Sequence, residues 1–105
     1  MNRGDVYLTV LNPTKGSEQE GARICVLVSP DSMNSRLNTV IVVPLSTKPK
    51  EWPTRVNTFF DNNHGQALCE QIRTVDRKRL VKFKGRLAQS EIDEIRLVFK
   101  QMLYE

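Results

Sequence analysis

Three features of the sequence predict a mainly β domain with one C-terminal helix, its short strands bent into a small antiparallel sheet or barrel. Five to seven short runs rich in β-branched and aromatic residues lie between residues 5 and 87, punctuated by Pro, Gly, Asn and Asp. From Ser90 onward the apolar period changes: Ile92, Ile95, Phe99, Met102 and Leu103 recur at helical spacing. The length, 105 residues, suits a single domain (1–105) that buries one core without staples. A handful of short strands and one amphipathic helix pack most compactly with the helix laid on a curled sheet.

Each element has a local reason. Asp5 to Leu11 alternates, with Val6, Leu8 and Val10 on one side and Tyr7 and Thr9 on the other, and Asn12-Pro13 ends it. The polar stretch 12–23 is too long for a tight hairpin. It carries two glycines and delivers Arg23 to the entrance of the next strand, Ile24 to Val28. Ser29-Pro30-Asp31-Ser32 is turn chemistry, and a short helical turn is expected over 31–37. Thr39 to Val43 is the most β-branched run and should be a central strand; Pro44 ends or bulges it, with Leu45-Ser46-Thr47 at its mouth. Lys48 to Pro53 is a second loop. Thr54 to Phe60 follows as a strand with Val56, Thr58 and Phe60 on one face. Asp61 to Gly65 reads as a turn, Ala67 to Ile72 as a short strand, Arg73 to Asp76 as its exit, and Leu80 to Leu87 as a strand weakened by Gly85. In the helix, Ser90 is positioned to cap, with Glu91, Asp93 and Glu94 in the first turn where the dipole favours acids.

Composition narrows the function classes. Hydrophobic content is 39% and no apolar run approaches a membrane span, so no membrane role is expected. The N-terminus has no apolar signal region, which makes the cytoplasm the expected compartment. Cys25 and Cys69 lie inside apolar runs and are expected as buried thiols rather than a disulfide. Net charge is +4, unevenly spread: Arg73, Arg77, Lys78, Arg79, Lys82, Lys84 and Arg86 face one acid, Asp76, in fourteen residues. That run admits two readings, a solvated strand edge or a polyanion-binding face.

The familiar catalytic kits are missing. His64 is the one histidine and reads as a turn or surface residue; the cysteines lack metal-ligand spacing; there is no P-loop or dinucleotide fingerprint. Chemistry here has to use Arg, Ser, Thr, Glu and Lys, with no metal or cofactor. RNA cleavage suits that set, because the substrate carries its own nucleophile, the 2′-hydroxyl, and DNA does not. Arginine is always charged and can bond two phosphoryl oxygens at once, but its high ordinary pKa makes it a poor proton donor. Ser46 or Thr47 could hold a hydroxyl or a phosphoryl oxygen. Position alone favours Arg23 as a surface ion-pairing residue and Ser46-Thr47 as turn chemistry, and fits Trp52-Pro53 equally as a core plug or a base-stacking ring.

The order of motifs goes further. Arg3-Gly4-Asp5-Val6-Tyr7 with the segment Asn12 to Arg23, then Val43-Pro44-Leu45-Ser46-Thr47, then Glu70-Gln71-Ile72-Arg73-Thr74-Val75-Asp76 with Arg79-Leu80, resembles the MazF/PemK/Kid toxin family over nearly the whole chain. The resemblance implies an SH3-like small β-barrel of the kind also found in CcdB, and usually a homodimer. It implies a metal-independent endoribonuclease cutting single-stranded RNA at particular sequences, leaving a 2′,3′-cyclic phosphate and a 5′-hydroxyl. The implied partner is an antitoxin whose disordered tail covers the RNA groove. By position, Arg23 matches the family's catalytic arginine and Ser46 its catalytic threonine, with Thr47 adjacent. Ser17, Glu18, Gln19, Glu70, Gln71 and Arg73 match positions around the RNA-binding face. Two positions depart: Ile24 stands where proline is usual, and the usual Thr-Ser order is Ser46-Thr47. Ser17 and Leu68 occupy places where some relatives carry a histidine and an extra arginine, so those roles do not transfer. The gyrase-poisoning branch relies on a C-terminal Trp-Gly-Ile, whereas this chain reads Met102-Leu103-Tyr104-Glu105; a non-catalytic RNA-binding barrel is the other alternative.

Overall fold

The computed structural model describes residues 1–11 and 21–104. Seven strands and two α-helices lie among them: β1 (Asp5–Val10), β2 (Ala22–Leu27), α1 (Asp31–Asn34), β3 (Thr39–Ser46), β4 (Arg55–Phe60), β5 (Asn63–Leu68), β6 (Arg73–Asp76), β7 (Leu80–Arg86) and α2 (Gln89–Tyr104). All the pairings are antiparallel, in the order β4-β5-β3-β2-β1-β7, with β6 also on β3. β3 is the central strand that its Val-Ile-Val-Val run predicts. Along one edge it pairs β2; along the other, Thr39–Val42 pairs β6 and Leu45–Ser46 pairs β5. The change of partner curls the sheet.

Alternation then gives the curled sheet two apolar faces. Val6, Val26, Val43, Val56 and Ala67 pack with Ile92, Ile95 and Val98 of α2. Leu11, Cys25, Leu27, Val40, Val42, Val75 and Leu80 form a second cluster on the opposite face. Both cysteines are buried free thiols, and burial pushes Cys25 up to about 11 and Cys69 to about 12. Among the described residues no helix is long and apolar enough to cross a membrane.

Three local readings are corrected. The turn signal at Asp61 to Gly65 contracts to Asp61 and Asn62, both left-handed (φ 53° and 62°), and Asn63 already pairs with Phe60. Positive φ at both central positions is what a two-residue hairpin demands. The strand therefore runs over Asn63–Leu68 instead of Ala67 to Ile72; a 3-10 turn at Cys69–Gln71 follows it, and Arg73–Asp76 is itself a strand. In α2, Val98 is buried and Leu103 is 61% exposed, while Phe99 and Met102 pack against the core.

The cap of α2 is also not Ser90, which already lies inside the helix. Glu91 does the work: its carboxylate accepts from the Ala88 N–H (3.2 Å) and from the Phe59 N–H (2.7 Å). One side chain thus caps the helix and covers a donor on the end strand of the sheet, β4. Replacing Glu91 with Ala should lower stability by about 1–2 kcal/mol by leaving both donors without this partner. Urea unfolding of the two proteins measures this, with Glu91→Gln expected in between.

Candidate RNA-processing site

Register brings the site together. Thr9 pairs with Arg23, and Cys25 with Pro44. Two steps further along that β2–β3 register, Arg23 comes level with Ser46. Ser46 in turn pairs with Gln66, and Gln66 with Asn57. Thr9, Arg23, Ser46, Gln66 and Asn57 therefore make one polar row across five strands, on the face that also carries Cys25 and Val42. A row spread over five strands from residue 9 to residue 66 has no signature in local spacing.

Each member is fixed by a specific contact. The Arg23 guanidinium donates from Nη2 to the Leu45 carbonyl at 3.3 Å. Among the described residues no carboxylate lies in ion-pairing range of it. Ser46 Oγ accepts from the Lys48 N–H at 3.1 Å, which turns the chain at the end of β3. Thr47 is exposed beside it. Gln66, only 8% exposed, bonds both sides of one residue of the next loop: Oε1 accepts from Lys50 N–H (3.0 Å) and Nε2 donates to Lys50 O (3.1 Å). Nε2 also donates to Asn57 Oδ1 at 3.1 Å. This ties the loop Lys48 to Pro53 to the row. Gly65 permits the close approach of β5, since a Cβ there would sit 2.7 Å from the Ser46 carbonyl oxygen.

Arg23, Ser46, Thr47, Lys48, His64 and Lys84 line one cleft, at the mouth formed where β2 begins and β3 ends, over a floor that includes Ile24, Leu45 and Phe60. Ile24, standing in place of a proline, pairs with Leu8 and packs on the helix-side core. Ladder and core anchor the backbone beside Arg23, where proline would have done so by fixing φ. The arrangement offers the Arg23 guanidinium, the hydroxyls of Ser46, Thr47 and Thr58, two ammonium groups and an imidazole, against one carboxylate, Asp61, around one space; the excess of positive charge fits a phosphodiester. Among the described residues no His, Cys, Asp and Glu cluster could hold a metal ion.

The other predicted residues divide. Ser17, Glu18 and Gln19 lie outside the described residues. Gln71 is exposed at the corner turn. Arg73 is on the same sheet face but donates to the Leu11 carbonyl (3.0 Å). Glu70 is tied down: Arg55 Nη2 sits 2.7 Å from its Oε2, and Thr54 Oγ1 donates to its Oε1 at 2.8 Å. Arg55 in turn lies 4.4 Å from the centre of the Trp52 ring, with Lys50 Nζ at 5.9 Å. Trp52 is 50% exposed, a cation-flanked lip of the loop and not a core plug. His64, expected in the turn, stands in β5, a consequence of the two-residue hairpin.

Much of the basic run is engaged with the protein itself. Arg79 bonds the Val10 carbonyl, Arg86 bonds Arg3 O and Asp5, and Arg77 contacts the Met1 sulfur. Of its lysines, Lys84 reaches the cleft.

Burial would raise the Glu70 carboxyl, but hydrogen bonds from Arg55, its own backbone and Thr54, together with the Arg55 charge, bring it below its ordinary 4.5. A lowered folded value means the pair's stabilisation is complete above about 4.5 and is lost as pH falls through the folded value. Glu70→Gln should therefore cost about 1–3 kcal/mol at pH 7, and its deficit should shrink below about pH 4.5. Denaturant unfolding of both proteins from pH 3 to 7 tests the convergence.

Comparison with known proteins shows the family of the chain. The family model for "PemK-like, MazF-like toxin of type II toxin-antitoxin system" matches residues 2–103. The Staphylococcus epidermidis protein named Endoribonuclease MazF is 37% identical over 101 residues, spanning 90% of this chain and 84% of that one. Among solved structures, MazF from Deinococcus radiodurans superposes with a TM-score of 0.82 at 21% identity, over 100% of this chain and 97% of its own. A mycobacterial endoribonuclease solved in complex with its cognate antitoxin gives 0.82 at 22% identity, over 98% and 94%. These structures share the fold, a curled antiparallel sheet with a C-terminal helix. The polar row and cleft described above thus belong to a chain that is a member of the PemK-like, MazF-like family of type II toxin-antitoxin toxins.

Proposed function

We propose that this toxin, an endoribonuclease of its family, cuts single-stranded RNA by in-line attack of the 2′-hydroxyl on the adjacent phosphate, without a metal or cofactor. The 2′-oxygen loses its proton and bonds to phosphorus. The P–O5′ bond breaks, leaving a 2′,3′-cyclic phosphate on one product and a 5′-hydroxyl on the other. The observation that carries the reading is Arg23: a guanidinium without a carboxylate partner among the described residues, level with Ser46 and beside Thr47 at the mouth of a cationic cleft. It would neutralise charge growing on the non-bridging oxygens, where a preorganised donor acts most strongly. Ser46 and Thr47 would hold the 2′-hydroxyl or a phosphoryl oxygen. The Ser46 hydroxyl is already oriented by the Lys48 N–H, which leaves its own proton to donate.

Around that centre, Ser17, Glu18, Gln19, Gln71 and Arg73 are proposed RNA-contacting positions. Glu70 would serve the same face through Arg55, by fixing the guanidinium against Trp52. The proposed partner is an antitoxin of the kind seen with the mycobacterial and Deinococcus relatives, covering this face. The proposed working form is a cytoplasmic homodimer.

Incubation with mixed-sequence RNA and matching DNA in EDTA should give cut RNA and intact DNA, with cyclic phosphate ends. Arg23→Ala should cut about 100- to 1,000-fold more slowly, the loss expected for one transition-state donor. RNA that binds but stays whole across all sequences would instead favour a non-catalytic barrel.

A further inference from the structure

We propose that His64 is a catalytic residue of this nuclease, the proton donor to the departing 5′-oxygen. The inference deepens the nuclease reading above and rests on it. The need for such a group is chemical: an alkoxide leaves phosphorus slowly unless it is protonated as the bond breaks. Arginine and lysine, with ordinary pKa values far above neutral, give up protons poorly. Carboxyl side chains ordinarily hold no proton to give at neutral pH; the cleft's carboxylate is Asp61, and Glu70 lies outside the cleft, bonded to Arg55 and Thr54. His64 is the chain's one histidine, and imidazole is the side chain whose ordinary titration suits proton transfer at neutral pH.

Placement supports the role. Ser46 pairs with Gln66, so His64, two residues back on β5, is the diagonal neighbour of Ser46 on the same sheet face. Such neighbours are about 7–8 Å apart, a gap that one phosphate group fills. His64, Ser46 and Arg23 all line the same cleft. The imidazole is exposed and held by a tilted contact with the Phe59 ring, centroids 4.7 Å apart. Among the described residues neither ring nitrogen has a hydrogen-bond partner, so both are open to substrate and solvent. The charged groups that share its surroundings are Arg23, Lys48, Asp61 and Lys84 in the cleft, and Glu91, whose carboxylate bonds the Phe59 N–H.

In the step proposed, the 2′-hydroxyl proton passes to water as the O2′–P bond forms. The P–O5′ bond breaks, O5′ takes a proton from the imidazolium, and the neutral imidazole is reprotonated from solvent. No oxidant or further reactant is needed.

The test uses the purified toxin, an RNA oligonucleotide carrying a mapped cleavage site, and the same oligonucleotide with sulfur in place of the scissile 5′-oxygen. A thiolate leaves without protonation. His64→Ala and His64→Gln, at an exposed position, should fold as the parent does by circular dichroism and melting. Their kcat on the oxygen substrate should fall by about 100-fold, in the usual range for one acid–base group. On the sulfur substrate they should match the parent within a few-fold. The parent's kcat on oxygen should decline with rising pH as the donor loses its proton, and the variants should lack that limb. A variant that cuts the oxygen substrate like the parent, or is equally slow on oxygen and sulfur, overturns the role of His64 while leaving the nuclease reading intact. A parent protein that cuts neither substrate nor any other RNA overturns both.

Discussion

The architecture depends on one strand serving three others. β3 keeps β2 along one edge, while its other edge holds β6 over Thr39–Val42 and β5 over Leu45–Ser46. Pro44, fully buried, stands at the change-over, where a residue without an N–H asks for no ladder partner. Because β5 and β6 flank the same edge at different heights, the chain between them must turn a corner, and it does so through Cys69–Gln71. Glu70 sits on that corner and reaches Thr54 and Arg55 at the start of β4. The corner, the curl and the position of the site are therefore one constraint seen at three places.

Members of the polar row bond to backbone atoms of their neighbours. Gln66 satisfies the N–H and the carbonyl of Lys50, and Arg23 takes up the Leu45 carbonyl at the end of the ladder. Buried polar groups are retained at little cost only when they are paired in this way. The result is a set of strand ends tied to one another around the mouth of the cleft.

The strands, the central place of Val40–Val43, the single helix and the buried thiols were all legible, because period and β-branching act through neighbours a few residues apart. So was the cluster of Arg23, Ser46 and Thr47, through motifs that recur in order along the chain. What was not legible depended on pairing. Two left-handed residues, Asp61 and Asn62, could not be told from a five-residue turn, so His64 was read off the sheet. The fates of Glu70 and Arg73 hinge on partners at positions 55 and 11, and Gln66 attracted no notice because its contacts lie on a loop sixteen residues away. The Glu91 cap resembled ordinary first-turn acidity until its second bond, to β4, was in view.

The arginines bonded to main-chain carbonyls have a consequence for how binding should respond to ionic strength. Affinity for a single strand weakens with salt in proportion to the number of phosphates that cationic side chains contact directly, by about 0.7 logarithmic units per contact. Arg79 and Arg86 each turn a donor inward, to the Val10 and Arg3 carbonyls, and are held against the protein. Counterion release should then reflect the cations proposed to meet the RNA, Arg23, Lys48, Lys84 and Arg73, and remain short of what a run of seven basic residues added to the cleft would suggest. On the proposed site, a toxin built this way would hold RNA by a small number of placed charges, and its grip should persist at salt concentrations that strip a merely basic surface from RNA.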